Sequence, residues 1–294
     1  MELDLGYAQA LPVLPFQAGQ VKILLVGVGG TGSFLARHVA CMVALLRDAG
    51  KDVSLTFVDP DMVEAGNIPR QNFCPAEIGR YKVEALAHRY SQAFGIEIGL
   101  RPEAFSSEMV EAQWGTTTML VGCVDNARAR VALETALQKN EQSSSRDHTA
   151  LPRVWWLDVA NGLDYGQVLL GSTSEVATLA SAFALGSLPR CSLLPSPLLQ
   201  EPTLRESRPE ENEPHRLSCT QLLAANAQAM TINPAMAIEG AEYLYRLLIT
   251  GDLKKFATRL DLAAGTKKSL YTTPQALAKT LGCHPSFFRT RQSS

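Results

Sequence analysis

Four glycines in "GVGGTG", residues 27–32, follow the short apolar run "VKILLV" and precede a stretch whose apolar residues return at helical spacing. Glycine lets the backbone approach a phosphate closely, and the amides of a helix N-terminus face that phosphate. Gly27, Gly29, Gly30, Thr31 and Gly32 are therefore candidate nucleotide-binding residues. Asp59 ends a second apolar run, "VSLTFVDPD", where a carboxylate can accept hydrogen bonds from ribose hydroxyls. NAD and ATP share that ribose, so Asp59 does not separate hydride transfer from phosphate chemistry.

The stretch "DPDMVEAGNIPRQNFCPAEIGRYK" does separate them, because it brings Asn67, Arg70 and Lys82 toward one face of the sheet, with Asp61 and Gln71 beside them. The pyrophosphate of a dinucleotide needs little beyond helix amides, whereas a triphosphate needs cations. A later apolar run, "TTMLVG", leads into "CVDN", which adds Val124, Asp125 and Asn126. Taken alone, an arginine is an ordinary surface group and Asp125 is a fair N-cap for the helix "ARARVALETAL".

The elements that must position these residues are legible in outline. "VKILLV" is short, β-branched and apolar, as a strand buried in a parallel sheet should be. After Gly32, the residues Leu35, Val39, Met42, Val43 and Leu46 mark a helical face that ends at Gly50. "YKVEALAHRYSQAF" predicts a second helix, with Val83, Leu86 and Tyr90 turned inward. Further strands are expected at "IEIGL", "TTMLVG", "VWWLDV" and "GQVLLG", the last two as a hairpin. The order predicts an α/β fold: a Rossmann-like, doubly wound, mostly parallel sheet with an antiparallel extension. Residues 1–265 are expected to form one domain, crossed by a mobile, proline-rich and charged loop at about 190–219, with 266–294 as a C-terminal tail. Asn233 and Pro234 suggest a break between two helices in the apolar stretch beyond that loop.

Composition narrows the function classes. With 27 basic and 29 acidic residues, the formal net charge is −2, so no basic field points to nucleic acid or an anionic membrane. The N-terminal residues are acidic where a signal peptide is basic, and no apolar run approaches the roughly 20 residues that span a bilayer. A cytoplasmic protein is expected. The cysteines, at 41, 74, 123, 191, 219 and 283, form no CxxC pair, and histidines 38, 88, 148, 215 and 284 form no ligand pattern. Trp155 and Trp156 are consecutive on a strand, so they fall on opposite faces and suit packing better than an aromatic platform.

The series GxGGxG, DxDxVExxNxxRQ, a lysine about a dozen residues later and a strand ending in DN resembles the ThiF/MoeB/HesA-type adenylating enzymes, relatives of the ubiquitin-activating enzymes. The resemblance implies that Arg70 and Asn67 hold a triphosphate, that Lys82 lies along its phosphates, and that Asp125 holds magnesium. ATP and Mg²⁺ are thus the implied cofactors. "GCVDNARAR", "WLDVANGLDYGQVLLG" and "SCTQLLAANAQAMTINPAMA" are similar to ThiF-family proteins of bacterial PRTRC systems, from about Val21 to Asp261. Those gene neighbourhoods include a ubiquitin-like protein, which implies that the activated carboxylate is a small protein's C-terminus, and other PRTRC proteins are implied as partners. The chain departs from the family twice. The paired CxxC motifs of a structural zinc are absent, and the first arginine is Arg37, inside the glycine-loop helix, so an arginine donated across a homodimer has no candidate.

An acyl adenylate passes directly to an acceptor or is first captured by a thiolate. Cys219, where the polar loop meets the helix "TQLLAANAQAM", is the candidate nucleophile, because a helix N-terminus lowers a thiol's pKa; Cys191, beside Arg190, is the runner-up. Against both stands the tendency of cysteine to pack as a small buried hydrophobe. Three other readings remain open: activation of a small-molecule, peptide or tRNA-linked carboxylate, a nicotinamide-dependent oxidoreductase, and a nucleotide-binding scaffold without turnover.

Overall fold

The structure is a computed structural model that describes residues 5–13, 19–144, 151–184, 189–207 and 219–288, without the side chains of residues 5, 142–144 and 219–229. Its elements are α1 (Leu5–Gln9), β1 (Gln20–Val26), α2 (Gly30–Asp48), β2 (Asp52–Val58), α3 (Lys82–Phe94), β3 (Gly99–Arg101), β4 (Thr116–Gly122) and α4 (Ala127–Ser144). There follow β5 (Val154–Asn161), β6 (Tyr165–Gly171), α5 (Pro197–Gln200), α6 (Cys219–Tyr245), β7 (Lys255–Asp261), β8 (Thr266–Tyr271) and α7 (Pro274–Leu281).

One eight-stranded sheet runs in the order β3-β2-β1-β4-β5-β6-β7-β8. The first five strands in that order are parallel, and β6, β7 and β8 are antiparallel additions, so the expected doubly wound sheet and its antiparallel extension are both present. The chain steps from β1 outward to β2 and β3, then returns to β4 on the other side of β1. Right-handed crossovers taken in opposite directions put α2 and α4 on opposite faces. The β5 and β6 runs, separated only by a tight turn, pair as the expected hairpin.

Burial follows the periodicity. Leu35, Val39, Met42, Val43 and Leu46 of α2 are all buried, as are Val83, Leu86 and Tyr90 of α3. Trp155 and Trp156 are both fully enclosed, because β5 lies inside the sheet with both faces covered.

Three expectations are revised. Residues 219–245 form one continuous helix with Pro234 inside it, not two helices with a break. A proline within a helix costs about 3 kcal/mol, which is offset here by burial of Ile232, Met236 and Ala237 on either side of it. The first part of the proline-rich segment is packed and not a mobile loop: Ser196 donates to Glu134 Oε1 of α4 at 3.0 Å, Gln200 donates to the Leu170 carbonyl at 2.8 Å, and Leu198 and Leu204 are buried. Residues 208–218 lie outside the described residues. The segment after Gly265 supplies β8 and α7, and Leu277, Ala278 and Phe288 join the core.

Main-chain contact holds the start of α2 against the sheet. Gly27 has φ +81°, and a β-carbon on Gly32 would lie 1.9 Å from the Gly27 carbonyl oxygen. No side chain fits there without displacing backbone. Gly32→Ala is expected to lower stability by about 1–3 kcal/mol or more, measured by chemical denaturation; an unchanged midpoint would show that the turn has room.

Candidate functional site

Val26 is level with Val58 on one side and with Gly122 on the other, and Gly122 is level with Asp158. The segments that leave β1, β2, β4 and β5 therefore emerge along one edge of the sheet, at the point where the strand order reverses. Ligands of open α/β sheets bind in that crevice.

Gly29 precedes α2, no side chain caps the helix, and its first-turn amides face the crevice without an intrahelical partner. Asp59, 6% exposed, accepts from the Val28 amide at 2.7 Å through one oxygen and from the Asp61 amide at 2.9 Å through the other. Burial pushes the Asp59 carboxyl up, against the pull of the Asp61 amide, the Lys82 ammonium and the Val28 amide. Each oxygen keeps a second lone pair, so Asp59 both fixes the glycine loop and can accept from a hydroxyl.

Lys82 opens α3, where the helix dipole disfavours a cation, and it is 5% exposed. Its ammonium is 2.7 Å from Asp61 Oδ2, whose side chain is largely exposed. A β-carbon on Gly29 would lie 3.9 Å from Lys82 Nζ and 3.6 Å from Gln71 Nε2, which places both side chains against the glycine loop. Gln71 is buried, and its Oε1 has no hydrogen-bond partner among the described residues.

Asn67 is buried in a 3₁₀ turn, residues Ala65–Asn67, and its Oδ1 accepts from the Glu64 amide at 2.9 Å in a capping box. Its main-chain carbonyl accepts from the amides of Arg70 and Gln71 at 3.1 and 2.9 Å. Asn67 thus shapes the segment that carries Arg70, and only its Nδ2 hydrogens remain for a phosphate. The Arg70 guanidinium is exposed and no described residue pairs with it, while its carbonyl accepts from Asn233 Nδ2 at 2.8 Å.

The Cys123 carbonyl and a Val124 methyl abut Gly27, 2.8 and 3.1 Å from where its β-carbon would lie. Asn126, not Asp125, caps α4: its Oδ1 accepts from the Ala129 amide at 2.9 Å. That leaves Asp125 exposed, with Oδ1 accepting from Asn126 Nδ2 at 3.2 Å. Arg130, almost wholly buried, steadies this loop from below. Its Nη2 donates to the Val124 carbonyl at 2.6 Å, and its Nε lies 3.4 Å from Asp158 Oδ1.

The crevice thus brings together the glycine loop, Asp59, Asp61, Gln71, Lys82 and the 123–126 segment, with the Arg70 backbone beside them. It does not include Cys191. That residue bridges Val13, whose amide bonds to the Leu253 carbonyl just before β7 and so at the opposite edge of the sheet. Cys191 is fully buried, and burial pushes its thiol up to about 12, so the expectation of a runner-up nucleophile fails there. Burial and the Asp158 carboxylate likewise raise the Cys123 thiol. Cys219 begins α6, but its side chain lies outside the described residues. His148 and His215 lie outside them as well.

Sequence reasoning missed Asn161, Asn233, Arg130 and Asp158. Asn161 ends β5 at the same sheet edge as Asp59, and a polar residue at the carboxyl end of a buried strand was a usable signal. Asn233 was masked by Pro234, which drew attention to the backbone instead of the carboxamide beside it. Among the described residues, no cluster of histidine, cysteine, aspartate and glutamate could hold a metal ion unaided. No helix among them is long and apolar enough to cross a membrane.

The architecture matches solved structures. A crystal structure of PaaA has a TM-score of 0.54 at 14% identity, covering 87% of this chain and 65% of that one. E. coli MccB with AMPCPP and MccA has a TM-score of 0.52 at 14% identity, covering 86% and 63%. E. coli MccB with ATP has a TM-score of 0.51 at 13% identity, also covering 86% and 63%. At these identities the likeness is one of fold, and the chain spans less than two thirds of the length of these relatives. No curated protein matches the sequence. The sequence model of the ThiF family matches residues 17–146, the stretch that holds the glycine loop, Asp59, Arg70, Lys82 and Asp125, so this part of the chain is similar to the ThiF family.

Proposed function

We propose that this protein is an ATP-dependent adenylyltransferase that activates a carboxylate, and that its substrate is the C-terminus of a ubiquitin-like protein. The observation that carries the reading is the convergence on an uncapped helix N-terminus of a buried ammonium, Lys82, and a segment bearing the exposed Arg70 guanidinium, which pairs with none of the described residues. A hydride-transferring enzyme has no task for a buried cation beside its pyrophosphate. Nucleotide triphosphate does, because its phosphates carry far more charge than amides alone neutralise. The ThiF-family match and the solved structures of MccB with ATP and with AMPCPP support the same reading.

In this reaction a carboxylate oxygen attacks the α-phosphorus, the bond to the bridging oxygen of the β-phosphate breaks, and pyrophosphate leaves. The first-turn amides of α2 and the Lys82 ammonium meet the phosphates, and Asp59 meets the ribose. Lys82 exchanges Asp61 for a phosphate when nucleotide enters, which releases the exposed carboxylate to solvent. The Asp125 carboxylate, exposed and bonded among the described residues to Asn126 through Oδ1, suits a hard cation that takes its remaining ligands from phosphate and water. Mg²⁺ bound there would neutralise charge on the phosphates and on the departing pyrophosphate. Asn67, Gln71, Val124 and Asn126 shape the walls.

The similarity to PRTRC-system ThiF proteins is the reason for proposing a ubiquitin-like partner, within a cytoplasmic setting. Exchange of pyrophosphate into ATP is expected only when that partner is present, and Lys82→Ala and Asp125→Ala are each expected to slow it about 10²–10³-fold. Exchange supported instead by a small carboxylic acid would move the substrate to another class, and full exchange in Lys82→Ala would remove Lys82 from the chemistry.

Capture of the adenylate by Cys219 forms a thioester and expels AMP. A thiol-labile adduct with the partner is expected in the wild type and in Cys191→Ala, and its loss in Cys219→Ala. Persistence of the adduct in Cys219→Ala would assign the step elsewhere.

A further inference from the structure

Three side chains from distant parts of the chain meet beside the glycine loop. Thr31 Oγ1 donates to Asn161 Oδ1 at 2.7 Å and lies 3.3 Å from Asn233 Oδ1, and Asn161 Nδ2 donates to Asn233 Oδ1 at 3.1 Å. The other end of the Asn233 carboxamide, Nδ2, donates to the Arg70 carbonyl at 2.8 Å. Asn233 is 4% exposed, and a β-carbon on Gly30 would lie 3.0 Å from both its Nδ2 and its Oδ1. One carboxamide therefore joins α6 to the first turn of α2, the end of β5 and the loop bearing Arg70.

We infer that Asn233 is a positioning residue for Arg70, holding the 70–73 segment against the phosphate-facing turn of α2. The inference rests on the proposed ATP reading for its effect on affinity, but not for the contact itself. Among the described residues, no other side chain donates to the Arg70 carbonyl, and none pairs with the Arg70 guanidinium to fix it. The placement of that cation thus follows from its main chain. A packing role is a poorer account, because a buried apolar residue would fill the same space without needing polar partners on three segments.

Asn233→Asp separates the two ends of the carboxamide. It keeps an acceptor for Thr31 and Asn161 but puts a second acceptor against the Arg70 carbonyl. In calorimetry with ATP and Mg²⁺, the variant is expected to bind about tenfold or more weakly than the wild type, and to add less than about twofold in an Arg70→Ala background, since residues that act as a unit are non-additive. Equal losses in both backgrounds, or no loss in either, would overturn the inference. A second measurement needs no nucleotide: amide hydrogen exchange across residues 70–73 is expected to quicken in Asn233→Asp and in Asn233→Ala while the melting temperature stays within a few degrees. Unchanged exchange in whichever of the two variants folds would overturn the inference as well. If the wild type binds no ATP, the adenylation reading falls, and the exchange measurement alone decides the role of Asn233.

Discussion

The carbonyl oxygen of Gly27 stands where a side chain on Gly32 would begin, 1.9 Å from the position of its β-carbon. That contact lets the chain leave β1, reverse, and start α2 with its amides pointing over the end of the sheet. On the other side, Gly27 packs on the Cys123 carbonyl, so the turn also fixes where the 123–126 segment runs. Asp59 closes the arrangement by accepting the Val28 amide. The α2 N-terminus, the Asp59 carboxylate and the 123–126 segment that carries Asp125 are thereby held together in one crevice.

Charge is distributed around this frame in a manner that packing alone does not explain. Lys82 sits at the end of α3 that repels it and is withdrawn from water, with one exposed aspartate for company. Such a placement weakens the free protein and favours an anion that brings more negative charge than Asp61 does. Below the crevice, Arg130 spends its charge on the Val124 carbonyl and the fully buried Asp158. Burial pushes the Asp158 carboxyl up while Arg130 pulls it down, and neither Asp158 oxygen has a hydrogen-bond partner among the described residues. The loop that offers Asp125 is therefore supported by a pair that is costly to bury and tied to that one position.

Much of the sheet was legible because its signals are local. Short β-branched runs, helical periodicity and a glycine turn each report on a few neighbouring residues, and together they fixed β1, α2, β2, α3 and the β5–β6 hairpin. The crevice was half legible for the same reason: Asp59 and the glycines lie at strand ends, where a sequence pattern marks them. What escaped depends on contacts between residues far apart in the chain. Asn233 reaches Arg70 and Thr31 from a helix that begins at Cys219, and nothing in "TINPAM" announces its partners. Pro234 read as a break because local propensity opposes it, yet buried neighbours on both sides keep α6 continuous. The segment around Pro195 read as a mobile loop because it is rich in proline and charge. Glu134, in a helix more than fifty residues earlier, gives Ser196 and Arg205 a buried partner there.

The central claim is that cations and helix amides in this crevice serve a triphosphate and not a dinucleotide. Isothermal titration calorimetry of the full chain with ATP and Mg²⁺, and separately with NADH, tests it most directly. The account predicts a saturable heat with ATP that weakens when Mg²⁺ is withheld, and none with NADH. Saturable binding of NADH with no binding of ATP would contradict it.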